Sequence, residues 1–136
     1  MEIIHILLVE DNEGDIVLTQ EALDETYLNL KLSVVRDGKE AIDFVSKQGK
    51  YIAVDLPDLL LLDINLPKKN GLEVLQFIKG NESIKHIPVM MLTTSSSEKD
   101  IDLCRKNFAH SYFTKPLEIN EFLKVAATIK ILHFDS

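Results

Sequence analysis

Five short apolar runs alternate along the chain with segments whose apolar residues recur at helical spacing. The runs cover residues 3–9, 30–35, 59–63, 88–92 and 111–114. The third contains four consecutive leucines, which is typical of a strand covered on both faces. Alternating strands and helices predict an α/β fold, a five-stranded parallel sheet with helices on both faces and right-handed crossovers. Periodicity leaves the strand order open.

Polar residues and glycines indicate where the helices begin and end. Asn12 or Asp15 is expected to cap the first helix. Gly49 is expected to end the second helix. The fourth helix is predicted to carry Phe108 on its inward face, and the last helix is predicted from about residue 118 to 132.

Reactive side chains follow four of the five predicted strands. In an open parallel sheet the carboxyl ends of the strands share one edge, where ligands bind. The residues that arrive there are Glu10, Asp11, Asp63, Thr93 and Lys115. Three carboxylates at close range call for a cation, and hard oxygen ligands suit Mg²⁺. The absence of cysteine and histidine from these loops argues against zinc.

Lys115 and Thr93 would add a fixed positive charge and a hydroxyl donor, the groups that a transferred phosphoryl oxygen needs. A carboxylate can itself accept a phosphoryl group. Asp63 is the candidate nucleophile because it is the single acid after the central strand, whereas the adjacent Glu10 and Asp11 suit metal binding. No glycine-rich phosphate loop is present, so bound ATP or NAD is not indicated.

Length and charge restrict the class of protein further. At 136 residues we expect one domain, residues 1–136. Acidic residues outnumber basic ones 22 to 15, which argues against nonspecific DNA binding. The single cysteine excludes an internal disulfide and fits a cytoplasmic protein. We predict no membrane span and no signal peptide.

Four segments, in this order, resemble the receiver domain of two-component response regulators. They are Val-Glu-Asp-Asn at 9–12, Leu-Asp-Ile-Asn-Leu-Pro at 62–67 with Gly71, Val-Met-Met-Leu-Thr-Thr at 89–94 and Tyr-Phe-Thr-Lys-Pro-Leu at 112–117. The last two intervals between segments match the family pattern. The first is several residues longer, and we place the excess at residues 49–58. Many members have Asp where this chain has Glu10.

The resemblance implies a flavodoxin-like doubly wound sheet with strand order 2-1-3-4-5. It also implies that Asp63 is the phosphoacceptor. Asp11, Asp63 and the backbone carbonyl of Asn65 would bind Mg²⁺ directly, and Glu10 would act through a water molecule. The longer arm of Glu10 keeps the charge of the usual Asp but could alter the metal geometry.

Other roles implied by the resemblance concern the phosphoryl group and the switch. Lys115 would pair with the phosphoryl group, and the bond between Lys115 and Pro116 would be cis. Thr93, with Thr94 beside it, would bind the phosphoryl oxygen and move inward on phosphorylation. Tyr112 would be the switch aromatic that turns from solvent toward the core.

The expected partner is a sensor histidine kinase, and the chain is similar to stand-alone regulators of bacterial and cyanobacterial phytochrome kinases. We expect no output domain, so the signal would pass through contacts of the helix 4, strand 5 and helix 5 surface. Apolar residues of the last helix leave two alternatives open. One is a longer helix lying on the core, and the other is a homodimer through this helix and the strand 5 face. The additional residues are Val125, Ile131, Leu132 and Phe134.

Two other functions use the same residues. One is a Mg²⁺-dependent hydrolase that acts on an external phosphate ester. The other is a pseudo-receiver that only binds partners. Lys115 and Thr93 beside Asp63 favour the receiver, in which the chemistry is confined to the protein's own aspartate and the protein is not otherwise an enzyme.

Overall fold

The computed structural model describes residues 3–129, which form five strands, five α-helices and one 3-10 turn. The strands are β1 (Ile4–Val9), β2 (Leu30–Val35), β3 (Leu59–Leu62), β4 (Val89–Thr93) and β5 (Ser111–Thr114). The helices are α1 (Glu13–Asp24), α2 (Gly38–Val45), α3 (Gly71–Lys79), α4 (Glu98–Lys106) and α5 (Ile119–Ala126), and the 3-10 turn is Gly49–Tyr51. Each helix lies between two strands or after the last one, as the apolar pattern predicted.

The sheet is parallel throughout, with the strand order β2-β1-β3-β4-β5. This confirms the α/β fold and the strand order implied by the resemblance. Val9 pairs with Leu62, and Leu62 pairs with Met91. Thr93 pairs with Thr114. The register therefore brings the residues after β1, β3, β4 and β5 to one edge.

Two apolar layers cover the sheet because successive strand residues point to opposite faces. Leu7 and Val9 of β1 face α2, α3 and α4, whereas Ile6 and Leu8 face α1 and α5. All four leucines of β3 are almost completely buried. The continuous apolar run of β3 is therefore explained by its central position between two helical layers.

Asn12 caps α1, which resolves the choice between Asn12 and Asp15. Its side-chain oxygen accepts from the backbone N–H of Asp15 at 2.9 Å. Asn70 opens α3 with a capping box, in which its side chain and that of Glu73 each accept from the other's backbone N–H. The caps fix the first turns of α1 and α3 against the edge where the reactive side chains gather.

The prediction that Gly49 ends the second helix is wrong. The helix stops at Val45 with Ser46 as its C-terminal cap, and Gly49 instead begins the 3-10 turn with φ of 59°. The ring of Tyr51 packs on Phe44 at 5.1 Å, and its hydroxyl donates to Glu40 Oε1 at 2.7 Å. These contacts bring the chain back over α2, so the turn is set by tertiary packing.

The prediction that Phe108 faces inward is also wrong. Its side chain is 75% exposed, and Cys104 occupies the buried position of α4. The helix ends at Lys106, and Phe108 adopts a left-handed backbone conformation with φ of 68°. Its side chain therefore leaves the apolar stripe of the helix.

Phe122 and Ala126 of the last helix are buried, as is Ile129 just after it. The predicted end of this helix at residue 132 lies outside the described residues. The same holds for three of the apolar residues behind the dimer alternative, Ile131, Leu132 and Phe134. Within residues 3–129, none of the helices combines the length and apolar character needed to cross a bilayer.

Buried His5 gives the fold a pH dependence away from the reactive edge. Its side chain lies against Phe44, and Nε2 bonds the hydroxyl of Ser33 at 2.7 Å. Burial, and then the charge of Lys31, lower the pKa of His5. The backbone of Leu56, and then the charges of Asp58 and Asp55, act in the opposite direction and do not outweigh them. The folded protein thus resists a proton that the unfolded chain takes up near pH 6.5.

We therefore expect the free energy of unfolding to fall as the pH drops from about 7 through the lowered pKa of His5. The stabilisation by neutral His5 is fully present above its unfolded pKa. In urea unfolding series across this range, the wild type should lose more stability than His5→Gln, which keeps a hydrogen-bonding group for Ser33 but does not titrate. Parallel pH profiles of the two proteins would contradict the prediction.

Candidate functional site

The ammonium group of Lys115 lies at the centre of the reactive edge, with its side chain only 8% exposed. Its Nζ atom is 2.8 Å from Asp63 Oδ2 and 2.9 Å from Asp15 Oδ2, and it also contacts Glu10 Oε1 directly. An ammonium group has three N–H donors. Each of the three has a carboxylate partner, so the donor capacity of Lys115 is fully used.

Backbone hydrogen bonds place these side chains by extending the sheet one residue beyond its strands. The N–H of Asp63 donates to the carbonyl of Val9 at 3.3 Å, and that of Lys115 donates to the carbonyl of Thr93 at 2.8 Å. The N–H of Glu10 donates to the carbonyl of Val35, the last residue of β2, at 3.0 Å. The parallel ladder itself thus brings Glu10, Asp63 and Lys115 together.

Glu10, Asp11 and Asp63 each offer a carboxylate oxygen, and these three oxygens lie within 4.8 Å of one another. Glu10 and Asp63 are buried, whereas Asp11 is exposed. The N–H of Asn65 donates to Asp63 Oδ1 at 3.2 Å, so the backbone after β3 curls around the Asp63 carboxylate. Hard oxygen donors with one open side fit a small divalent cation.

The charge balance of the site also fits a cation. Burial raises the pKa of Glu10, and contact with Lys115 only partly offsets this. Burial alone would lower the pKa of Lys115, but its hydrogen bonds to Asp63, Glu10 and Asp15 outweigh burial and raise it. Lys115 therefore stays charged, and the carboxylates around it still carry more negative charge than one ammonium can balance.

Thr93 and Tyr112 are joined through Ser95. Thr93 is completely buried, and its Oγ1 accepts from the N–H of Ser95 at 3.4 Å. The hydroxyl of half-buried Tyr112 donates to the carbonyl of Ser95 at 2.9 Å. Thr94, beside Thr93, is exposed. One short loop therefore connects the end of β4 at the site with the aromatic residue on β5.

Two backbone features shape the loops around Asp63 and Lys115. The Lys115–Pro116 peptide bond is cis. Gly71 begins α3, and a Cβ atom at this position would stand 2.0 Å from the carbonyl oxygen of Asp63. The N–H of Gly71 donates to the carbonyl of Ile64 at 2.7 Å. Only glycine allows α3 to start this close to the loop that carries Asp63.

Asp15 is a site residue whose role could not be recognised from the sequence pattern, in which its position indicated only a possible helix cap. Because Asn12 is the N-terminal cap of α1, the Asp15 carboxylate is free to reach Lys115. The available signal was its position in the first helical turn after β1, a turn that must begin at the reactive edge.

Comparisons with known proteins agree with this geometry. The family described as response regulator receiver domain matches residues 6–127. Response regulator Rcp1 of Synechocystis sp. is 42% identical over 125 residues, which cover 92% of this chain and 85% of Rcp1.

Two solved structures are similar over nearly the whole chain. The phosphorylated cyanobacterial phytochrome response regulator RcpA has 39% identity and a TM-score of 0.84, covering 99% of this chain and 97% of RcpA. The Mn²⁺-bound form of Rcp1 has 41% identity and a TM-score of 0.79, covering 93% of this chain and 91% of the Rcp1 chain. The similarity to phytochrome response regulators noted in the sequence is thereby confirmed.

Proposed function

The chain belongs to the response regulator receiver domains, and from this premise we propose that Asp63 accepts a phosphoryl group from a histidine kinase. Receiver domains are phosphorylation-activated signalling switches of two-component systems. The observation that carries the assignment to Asp63 is its buried carboxylate, 2.8 Å from Lys115 Nζ and within the cluster formed with Glu10 and Asp11. The comparisons give no support to the hydrolase alternative.

In the proposed transfer, a carboxylate oxygen of Asp63 attacks the phosphorus of a phosphohistidine. The new O–P bond forms as the P–N bond breaks, and the electron pair leaves with the imidazole nitrogen. Lys115 is placed to donate to a phosphoryl oxygen, because the N–H that now donates to the attacking carboxylate at 2.8 Å can turn to that oxygen. Chemistry of this kind acts on the protein's own aspartate, so the protein would not be an enzyme toward a separate substrate.

Glu10, Asp11 and Asp63, with the carbonyl of Asn65, would hold the divalent cation, and we propose Mg²⁺. The all-oxygen donor set and the three carboxylates around a single ammonium group support this choice. The relative Rcp1 has a Mn²⁺-bound form, which supports the binding of a divalent ion. When bound, Mg²⁺ supplies positive charge that offsets the repulsion between the phosphoryl oxygens and the carboxylates.

The signal would leave the site through Thr93 and Tyr112, with Thr94 beside the phosphoryl group. The Thr93 hydroxyl now accepts from Ser95, and Tyr112 donates to the same residue. If Thr93 moves inward and donates to a phosphoryl oxygen, its Oγ1 is drawn away from the N–H of Ser95, and the Ser95 loop loses that acceptor. The changed loop would alter how Tyr112 is held and so modify the surface of α4, β5 and α5.

The relatives suggest which protein donates the phosphoryl group. RcpA is a phytochrome response regulator, which supports a phytochrome-type histidine kinase as the phosphoryl donor. We also retain the proposal of a homodimer through the last helix and the β5 face.

Incubation with acetyl phosphate and Mg²⁺, followed by intact-mass measurement, tests the proposed function. Asp63 should displace acetate from phosphorus, so the protein should gain one phosphoryl group, and a chelator should prevent the gain. Release of p-nitrophenol from p-nitrophenyl phosphate without an adduct would favour the hydrolase and overturn the proposal. A protein that shows neither adduct nor turnover would be a pseudo-receiver, which also overturns it.

A further inference from the structure

We propose that Asp15 is a positioning residue for Lys115, one that keeps the ammonium group at the site while its other two acceptors change their charge. The proposal rests on the proposed phosphoryl transfer to Asp63. It concerns a contact that the motifs of the resemblance do not include, the 2.9 Å pair between Asp15 Oδ2 and Lys115 Nζ.

The carboxylate of Asp15 is available for this role because other groups satisfy the start of α1. Asn12 accepts from the backbone N–H of Asp15, and the first turn also carries the acidic residue Glu13. The Asp15 side chain is 31% exposed, whereas that of Lys115 is 8% exposed. Asp15 thus approaches the buried ammonium from the solvent side of the site.

The three acceptors of Lys115 differ in what else they do. Among the residues that the structure describes, the carboxylates suited to hold a cation are Glu10, Asp11 and Asp63. Two acceptors of Lys115, Glu10 and Asp63, therefore share their charge with the cation when it is bound. Phosphorylation then converts the Asp63 carboxylate into a mixed anhydride. Asp15 keeps its full charge through both events.

It follows that Lys115, here held by three carboxylates, would keep only Asp15 as a carboxylate partner of unchanged charge while it donates to the phosphoryl oxygen. Without Asp15, the ammonium would pair more fully with Glu10 and Asp63 and compete with the cation for them. With the cation bound, the ammonium would also have no carboxylate partner whose charge is not shared with the cation. A misplaced ammonium at that stage would raise the barrier to transfer, because a preorganised charge must lie where charge develops.

The competing interpretation is that Asp15 only supplies negative charge to the first turn of α1, where acids stabilise a helix. Glu13 allows the two to be separated. It lies in the same turn and carries the same charge, but it pairs with Arg36 at 2.7 Å on the exposed surface. Asp15→Ala and Glu13→Ala therefore remove equal charge from one helical turn, and only Asp15→Ala removes an acceptor of Lys115.

The first measurement follows the ammonium group itself by ¹⁵N NMR of the Lys115 Nζ resonance, assigned by its loss in Lys115→Arg. With saturating Mg²⁺, the wild type and Glu13→Ala should keep a slowly exchanging resonance, Asp15→Ala should lose it, and Asp15→Glu should restore it. Thermal unfolding of the two alanine variants checks that neither has simply lost its fold.

The second measurement is the rate of adduct formation with acetyl phosphate at saturating Mg²⁺. Asp15→Ala should be slower than Glu13→Ala by about fivefold, the loss of part of one charge-assisted hydrogen bond. Equal rates, or equal Lys115 resonances, would overturn the proposal. If the wild type forms no adduct, the proposed function fails, but the resonance still decides whether Asp15 holds Lys115.

Discussion

Replacing Asp63 by Asn is expected to abolish the phosphoryl adduct formed with acetyl phosphate and Mg²⁺. An amide oxygen lacks the negative charge that lets the carboxylate attack phosphorus, although it can still accept from Lys115, now at 2.8 Å from Asp63. The variant should remain folded, because it relieves the surplus negative charge at the site. Intact mass over a time course measures the effect directly.

Asp58→Asn is the matched control, since Asp58 and Asp63 flank the same strand at its opposite ends. Asp58 Oδ2 accepts from the backbone N–H of His5 at 2.9 Å, a bond that an amide oxygen can also accept. This variant should form the adduct at the wild-type rate. Adduct formation by Asp63→Asn at that same rate would place the acceptor on another carboxylate and contradict the proposal.

The gathering of reactive residues at one edge could be predicted from the sequence because parallel strands all end on the same side. Glu10, Asp63 and Lys115 each follow directly after an apolar run, so counting strands was sufficient to bring them together. The strand order could not be predicted in this way, since periodicity says nothing about which strands are neighbours. It came from the resemblance to a family, and the structure confirms it.

Features that depend on contacts between distant residues could not be predicted in this way. The turn at Gly49 is held by the packing of the Tyr51 ring on Phe44, a contact that the local sequence does not encode. The exposure of Phe108 depends on where α4 stops. The pair between Asp15 and Lys115 depends on how α1 is rotated against the sheet, which is set by the packing of Ile16 and Leu23 into the core.

Removal of the Lys115 ammonium by Lys115→Met should lower the free energy of unfolding in cation-free buffer by about 3 kcal/mol. Met keeps the apolar stem of the side chain, so the change isolates the charge. Glu10 is 1% exposed and Asp63 is 8% exposed at the side chain, and both would be left buried without a positive partner. Urea unfolding in the presence of a chelator measures the loss.

Saturating Mg²⁺ should recover most of this stability in Lys115→Met, because the cation can balance the same carboxylates. The variant should also bind Mg²⁺ about tenfold more tightly than the wild type, in which the ammonium competes for Glu10 and Asp63. Lys99→Met, which removes an exposed lysine of α4, should change neither stability nor affinity. Equal Mg²⁺ affinity in Lys115→Met and the wild type would mean that Lys115 and the cation do not compete for these carboxylates. That result would contradict the prediction.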